Sequence, residues 1–105
     1  MIGSELQYAK IDAATLGDNT LVAAVTGNKI RVLAFLMVGA GTVTARFESG
    51  AGGTALTGQM TLAVNTVVPA PFNPEGWFET AAGALLNLEL SAAVSVDGCL
   101  AYVEI

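Results

Sequence analysis

Along much of the chain, apolar and polar residues alternate one by one. From Thr42 to Ser49, Val43, Ala45 and Phe47 fall on one side, and Thr42, Thr44, Arg46 and Glu48 on the other. A two-residue period is the mark of a strand with one face in a core and the other in water. Leu85 to Ser91 repeats it, setting Leu86, Leu88 and Leu90 against Asn87, Glu89 and Ser91. Cys99 to Ile105 follows, with Cys99, Ala101, Val103 and Ile105 alternating with Leu100, Tyr102 and Glu104. Leu6 to Ala14 and Asn19 to Val25 carry the pattern more faintly. The alternation puts Glu48, Glu79, Glu89 and Glu104 on polar faces or strand ends, where solvated charge is expected.

Lys29 to Val38 (KIRVLAFLMV) departs from this rule. Its first half alternates, but Leu33, Phe35 and Met37 make the second face apolar as well. A strand apolar on both sides belongs at the centre of a sandwich, with its outer face also covered. The cover is either a loop of the same chain or a neighbouring subunit. Leu33, Phe35 and Met37 are therefore the candidate subunit-interface residues.

Turn signals punctuate the runs at Gly17-Asp18-Asn19, Gly27-Asn28, Gly39-Ala40-Gly41, Gly50 to Gly53, Pro69 to Gly76 and Asp97-Gly98. Short strands at this spacing predict an all-β fold: a single-domain antiparallel β-sandwich, jelly-roll-like, with about eight strands. Residues 1-7 would form an N-terminal arm and residues 8-105 the sandwich. No window holds a 3.6-residue period; in Ala81 to Leu90 the leucines alternate and Gly83 interrupts.

Pro69 to Thr80 (PAPFNPEGWFET) is the least regular stretch and holds all three prolines. Prolines fix backbone torsions, so an ordered loop that packs its own aromatics is expected. Either Trp77 and Phe78 plug one end of the core, or the segment is a recognition loop that exposes Trp77 together with Phe72.

Composition narrows the function more than the fold. The chain has 105 residues, 53% hydrophobic and only 12% charged, about half the usual charged share. So little charge leaves apolar surface that is better buried against other chains than left in water. Nine carboxylates against four basic residues give a net charge of −5. Lys10, Lys29, Arg31 and Arg46 are too few for a nucleic-acid footprint, and an anionic membrane surface is disfavoured for the same reason. The N-terminus has no basic region followed by an apolar stretch, so no secretory signal is expected.

The chain has no histidine, which removes the commonest general base, the commonest metal ligand and every Ser-His or Cys-His nucleophile. Gly39 to Thr42 and Gly50 to Gly53 lack the Gly-Lys-Ser/Thr ending of a phosphate loop. Asp12 and Asp18 lack the alternating oxygen ligands of a calcium loop. No catalytic, metal or cofactor-binding residue is therefore assigned, and no cofactor is expected. Cys99, the single cysteine, cannot close an internal disulfide and reads as a small buried apolar residue.

Four segments, Gly27 to Val32 (GNKIRV), Thr54 to Gly58 (TALTG), Phe78 to Gly83 (FETAAG) and Gly98 to Glu104 (GCLAYVE), together resemble a group of small bacteriophage structural proteins. The similarity spans nearly all of the chain after about residue 8. It implies a jelly-roll sandwich on the virion exterior, often trimeric, with the major capsid protein as partner and no catalytic residues. A short chain without a coiled or repetitive segment fits a capsid decoration (cement) protein better than a fibre shaft. The alternative is a receptor- or carbohydrate-binding module of a phage head or tail fibre, with Trp77 and Tyr102 as stacking platforms.

Overall fold

A computed structural model describes residues 5–105. Among them the chain forms ten strands and no helix: β1 (Gln7–Ala13), β2 (Gly17–Val22), β3 (Ile30–Gly39), β4 (Val43–Ser49), β5 (Thr54–Ala55), β6 (Met60–Leu62), β7 (Val67–Ala70), β8 (Phe78–Glu79), β9 (Leu86–Leu90) and β10 (Val96–Glu104). The first four residues of the expected arm lie outside the described residues, and Gln7 already pairs with Tyr102 in β1.

All pairings are antiparallel and form two sheets. Sheet A runs β1-β10-β3-β7, with β8 also on β3; sheet B runs β2-β9-β4-β5, with β6 also on β4. If β5 and β6 count as one interrupted strand, and β7 and β8 as another, eight strands remain. Their orders, first-last-third-sixth and second-seventh-fourth-fifth, are those of a jelly roll. The core between the sheets takes Val43, Ala45 and Phe47 from β4 and Leu86, Leu88 and Leu90 from β9, as the alternation predicts. Phe47 bridges the sheets, with ring centroids 4.9 Å from Phe35 and 4.8 Å from Phe78. Removing so enclosed a ring costs about 3–5 kcal/mol.

The double-faced pattern of β3 has a different cause from the one expected. Ala101 pairs with Ala34, and Tyr102 pairs with Val32. Leu33 is thus an extra residue, a β-bulge that switches which side faces inward. Ile30 and Val32 point into the core before it, and Met37 after it. Met37 is 0% exposed, Leu33 is buried, and Phe35 packs against the core. The apolar set Leu33, Phe35 and Met37 is therefore packed by the chain itself, and the outward positions of β3 are Arg31 before the bulge and Ala34, Leu36 and Val38 after it.

Three further expectations are corrected. Cys99 is exposed, because its bulkier neighbours Leu100 and Tyr102 take the core side of β10. Tyr102 is accordingly no outward stacking platform. Asp97-Gly98 is no turn but lies within β10, opposite Val38 and Met37. There Gly98 permits a close approach of backbones: a Cβ would overlap the carbonyl oxygen of Leu36.

Candidate interaction surface

The two outer faces of the sandwich differ in chemistry. On sheet A the pairings place Tyr8 beside Ala101 and Ala34, then Lys10 beside Cys99, Leu36 and Pro69, then Asp12 beside Asp97, Val38 and Val67. Away from the β1 edge and Asp97, these rows are apolar. Tyr8 is 74% exposed, and Leu36 and Val67 are exposed as well. Between Tyr8 and the β7 side lies a hollow of about 400 Å³. Its floor is low because Ala34, Ala101 and Cys99 are small, and Tyr8, Leu36, Pro69 and Pro71 rise around it. The hollow offers only the Tyr8 hydroxyl and the Cys99 thiol as side-chain polar groups, so its chemistry is that of contact.

Sheet B is closed by its own polar groups. Glu48 is 0% exposed, against the expectation that it is solvated. The Asn87 amide donates to Glu48 Oε1 at 3.0 Å and to Asp18 Oδ1 at 2.8 Å. The Gly52 backbone N–H donates to the same Asp18 oxygen at 3.0 Å, which draws the Gly50 to Gly53 loop towards the strand surface. Arg46 Nε donates to Glu48 Oε2 at 2.7 Å, and its Nη2 lies 3.3 Å from Glu89. Among the described residues no buried side-chain polar atom lacks a partner. Burial pushes the Glu48 carboxyl up, but the neighbouring Glu89 carboxyl and the bonds from Arg46 and Asn87 outweigh it and hold Glu48 below the usual carboxylate range. The neighbouring Glu48 carboxylate, through its acceptor oxygens and its charge, pushes Glu89 up.

The proline-rich loop divides the two readings open to it. Phe78 enters the core, whereas Phe72 and Trp77 are exposed. Among the described residues no cluster of three or more His, Cys, Asp or Glu is arranged to hold a metal. Period alone missed Tyr8, Leu36 and Cys99 as surface residues. The available signal was size, since Leu100 and Tyr102 outbulk Cys99 and Ala101 for the core side.

The architecture defines an all-β, jelly-roll sandwich with one face closed by its own polar groups and one that is apolar around Leu36. A solved chain from Bacillus endospore appendages, described as a novel family of disulfide-linked pili, shares this fold with a TM-score of 0.52. The two are 20% identical over 97% of this chain and 88% of that one. No family model matches the sequence, and no curated protein does.

Proposed function

We propose that the chain is a non-enzymatic structural subunit that assembles with further copies of itself through the outer face of sheet A. The observation that carries this reading is the apolar surface around Leu36, left in water although the opposite face satisfies its own polar groups. Interfaces between permanent partners resemble a core cut in half, which is the composition found there. The likeness to an appendage protein supports a structural role.

In its finer form the proposal is a capsid decoration protein on the virion exterior, bound to the major capsid protein as a closed oligomer, with a trimer the form implied by the phage resemblance. Closed symmetry lets one small chain engage repeated sites through many weak contacts. The second reading, a subunit of a surface appendage, is favoured by the structural likeness. Native mass spectrometry tests the common element: a discrete oligomer is expected, reduced to monomer by Leu36→Asp. A wild-type protein that stays monomeric at high micromolar concentration overturns it. Electron microscopy then separates the forms, since filaments support the appendage and closed particles that raise capsid heat resistance support decoration.

A further inference from the structure

The chain carries an aromatic platform that neither the core nor the apolar hollow uses. Trp77 is the sole tryptophan and is 48% exposed, although burying so large a ring is among the strongest stabilising contributions open to a small domain. The ring is nevertheless held in place. Its Nε1 donates to the Pro71 carbonyl at 2.8 Å, and the Trp77 backbone N–H donates to Val32 O at 2.8 Å. The loop before it is a tight turn closed by Gly76 N–H on Asn73 O at 2.9 Å. Asn73 Oδ1 accepts from the Glu75 N–H at 3.0 Å. Gly76, at φ 85°, lies where a Cβ would strike the aliphatic stem of Arg31.

Two residues beyond Trp77, in β8 and paired with Arg31 of β3, stands Glu79. Its carboxylate accepts from Arg31 Nε at 2.8 Å and from Lys29 Nζ at 3.3 Å. All three charged side chains are partly exposed. A ring of fixed orientation, its own N–H spent inside the loop, therefore offers a flat apolar face beside a cluster of donors and acceptors. Sugars match that combination: the C–H face of a pyranose stacks on the ring, and its hydroxyls bond to carboxylate, guanidinium and ammonium groups. A nucleic acid would stack equally well but is repelled by a net charge of −5.

The geometry points to a saccharide-binding platform made by Trp77 together with Arg31 and Glu79. Arg31 and Glu79 belong to β3 and β8 of sheet A, but the platform uses no side chain of the apolar hollow and survives if that hollow is no interface. The test applies the full-length protein and Trp77→Ala to an array of immobilised neutral and acidic glycans, then titrates the captured sugar in solution. Wild type is expected to bind a subset of glycans, with saturable change in Trp77 fluorescence. Trp77→Ala should weaken binding by about tenfold, measured by ligand-detected NMR, and Trp77→Phe should recover part of the loss. Arg31→Gln should weaken the same glycans, with an unchanged melting profile for Trp77→Ala confirming that the fold is intact. No glycan held more strongly by wild type than by Trp77→Ala overturns the proposal. So does an emission shift that follows protein concentration alone, which would assign the ring to a contact between copies.

Discussion

The two outer faces of this sandwich are built from strands with similar alternation, yet they end in opposite states. On sheet B the outward residues Glu48, Asn87, Arg46 and Asp18 find one another and the 50–53 loop, and Glu48 and Asn87 lose all contact with water. On sheet A the outward residues Leu36, Val67 and Tyr8 have no such partners and remain exposed. A buried charge is tolerated only where hydrogen bonds and an opposite charge replace its water, and sheet B meets that condition. An exposed apolar group costs nothing in the lone chain but gains on association. One face is therefore finished by the fold, while the other is left for a partner.

The strongest way to break this contrast is to mutate each face and compare stabilities. Glu48→Ala removes the acceptor of Arg46 and Asn87 and leaves a void under the loop. It should cost about 2–3 kcal/mol, lowering Tm by roughly 10 °C or more in a domain of this size. Leu36→Asp on the other face should move the unfolding free energy of the monomer by no more than about 0.5 kcal/mol. Urea denaturation at a concentration where the protein is monomeric checks both. Equal costs on the two faces would remove the distinction.

A pH titration sharpens the contrast, because the shifted acids on sheet B move in opposite directions. Glu89 has a raised folded pKa, so its contribution is full below its unfolded value of about 4.3 and fades as pH rises through the folded value. Glu48 has a lowered pKa, as does Glu79, where the Arg31 hydrogen bond is the main cause. Their contributions are present above about 4.3 and are lost as pH falls through their folded values. Tm should thus rise slightly from pH 7 towards 5 and fall steeply below about 4. Glu89→Gln should flatten the rise, and Glu48→Gln should blunt the fall. A Tm that declines monotonically from pH 7 would contradict the opposed shifts of Glu48 and Glu89.

A smaller effect isolates the loop. Asp18→Ala takes away the acceptor of the Gly52 N–H and one acceptor of the Asn87 amide. About 1 kcal/mol of stability should be lost. Amide exchange at Gly52 should accelerate by more than exchange in β4, showing that the loop opens before the sheet does.

How much of this was legible beforehand differs by strand. β4 and β9 were readable because a regular ladder keeps the two-residue period in phase, and their inward residues are those predicted. β3 was not, because a bulge shifts the phase at Leu33 and nothing in KIRVLAFLMV separates a phase shift from two apolar faces. The Asp97-Gly98 signal was misread because local turn chemistry and a close backbone approach both demand glycine. The burial of Glu48 depends on a loop that reaches it through Asp18 and Asn87, side chains from two other strands, and no local pattern contains that information. The exposure of Phe72 and Trp77 was one of two readings the proline-rich loop allowed; the fold of the loop chose it.

Cys99 gives the least perturbing probe of the sheet A face. It lines the apolar hollow, opposite Leu36 in the ladder, and is exposed in the single chain. Cys99→Ser should change unfolding free energy by less than about 0.5 kcal/mol, since no core contact is lost. A maleimide should label Cys99 readily in dilute protein, where copies are apart. As concentration rises, assembly through this face would cover the thiol, and the labelling rate should fall along the same curve as the native oligomer appears. Leu36→Asp should keep labelling fast at every concentration. If instead oligomers form while Cys99 reacts at an unchanged rate, the copies meet elsewhere, and the apolar face of sheet A serves a partner other than the chain itself.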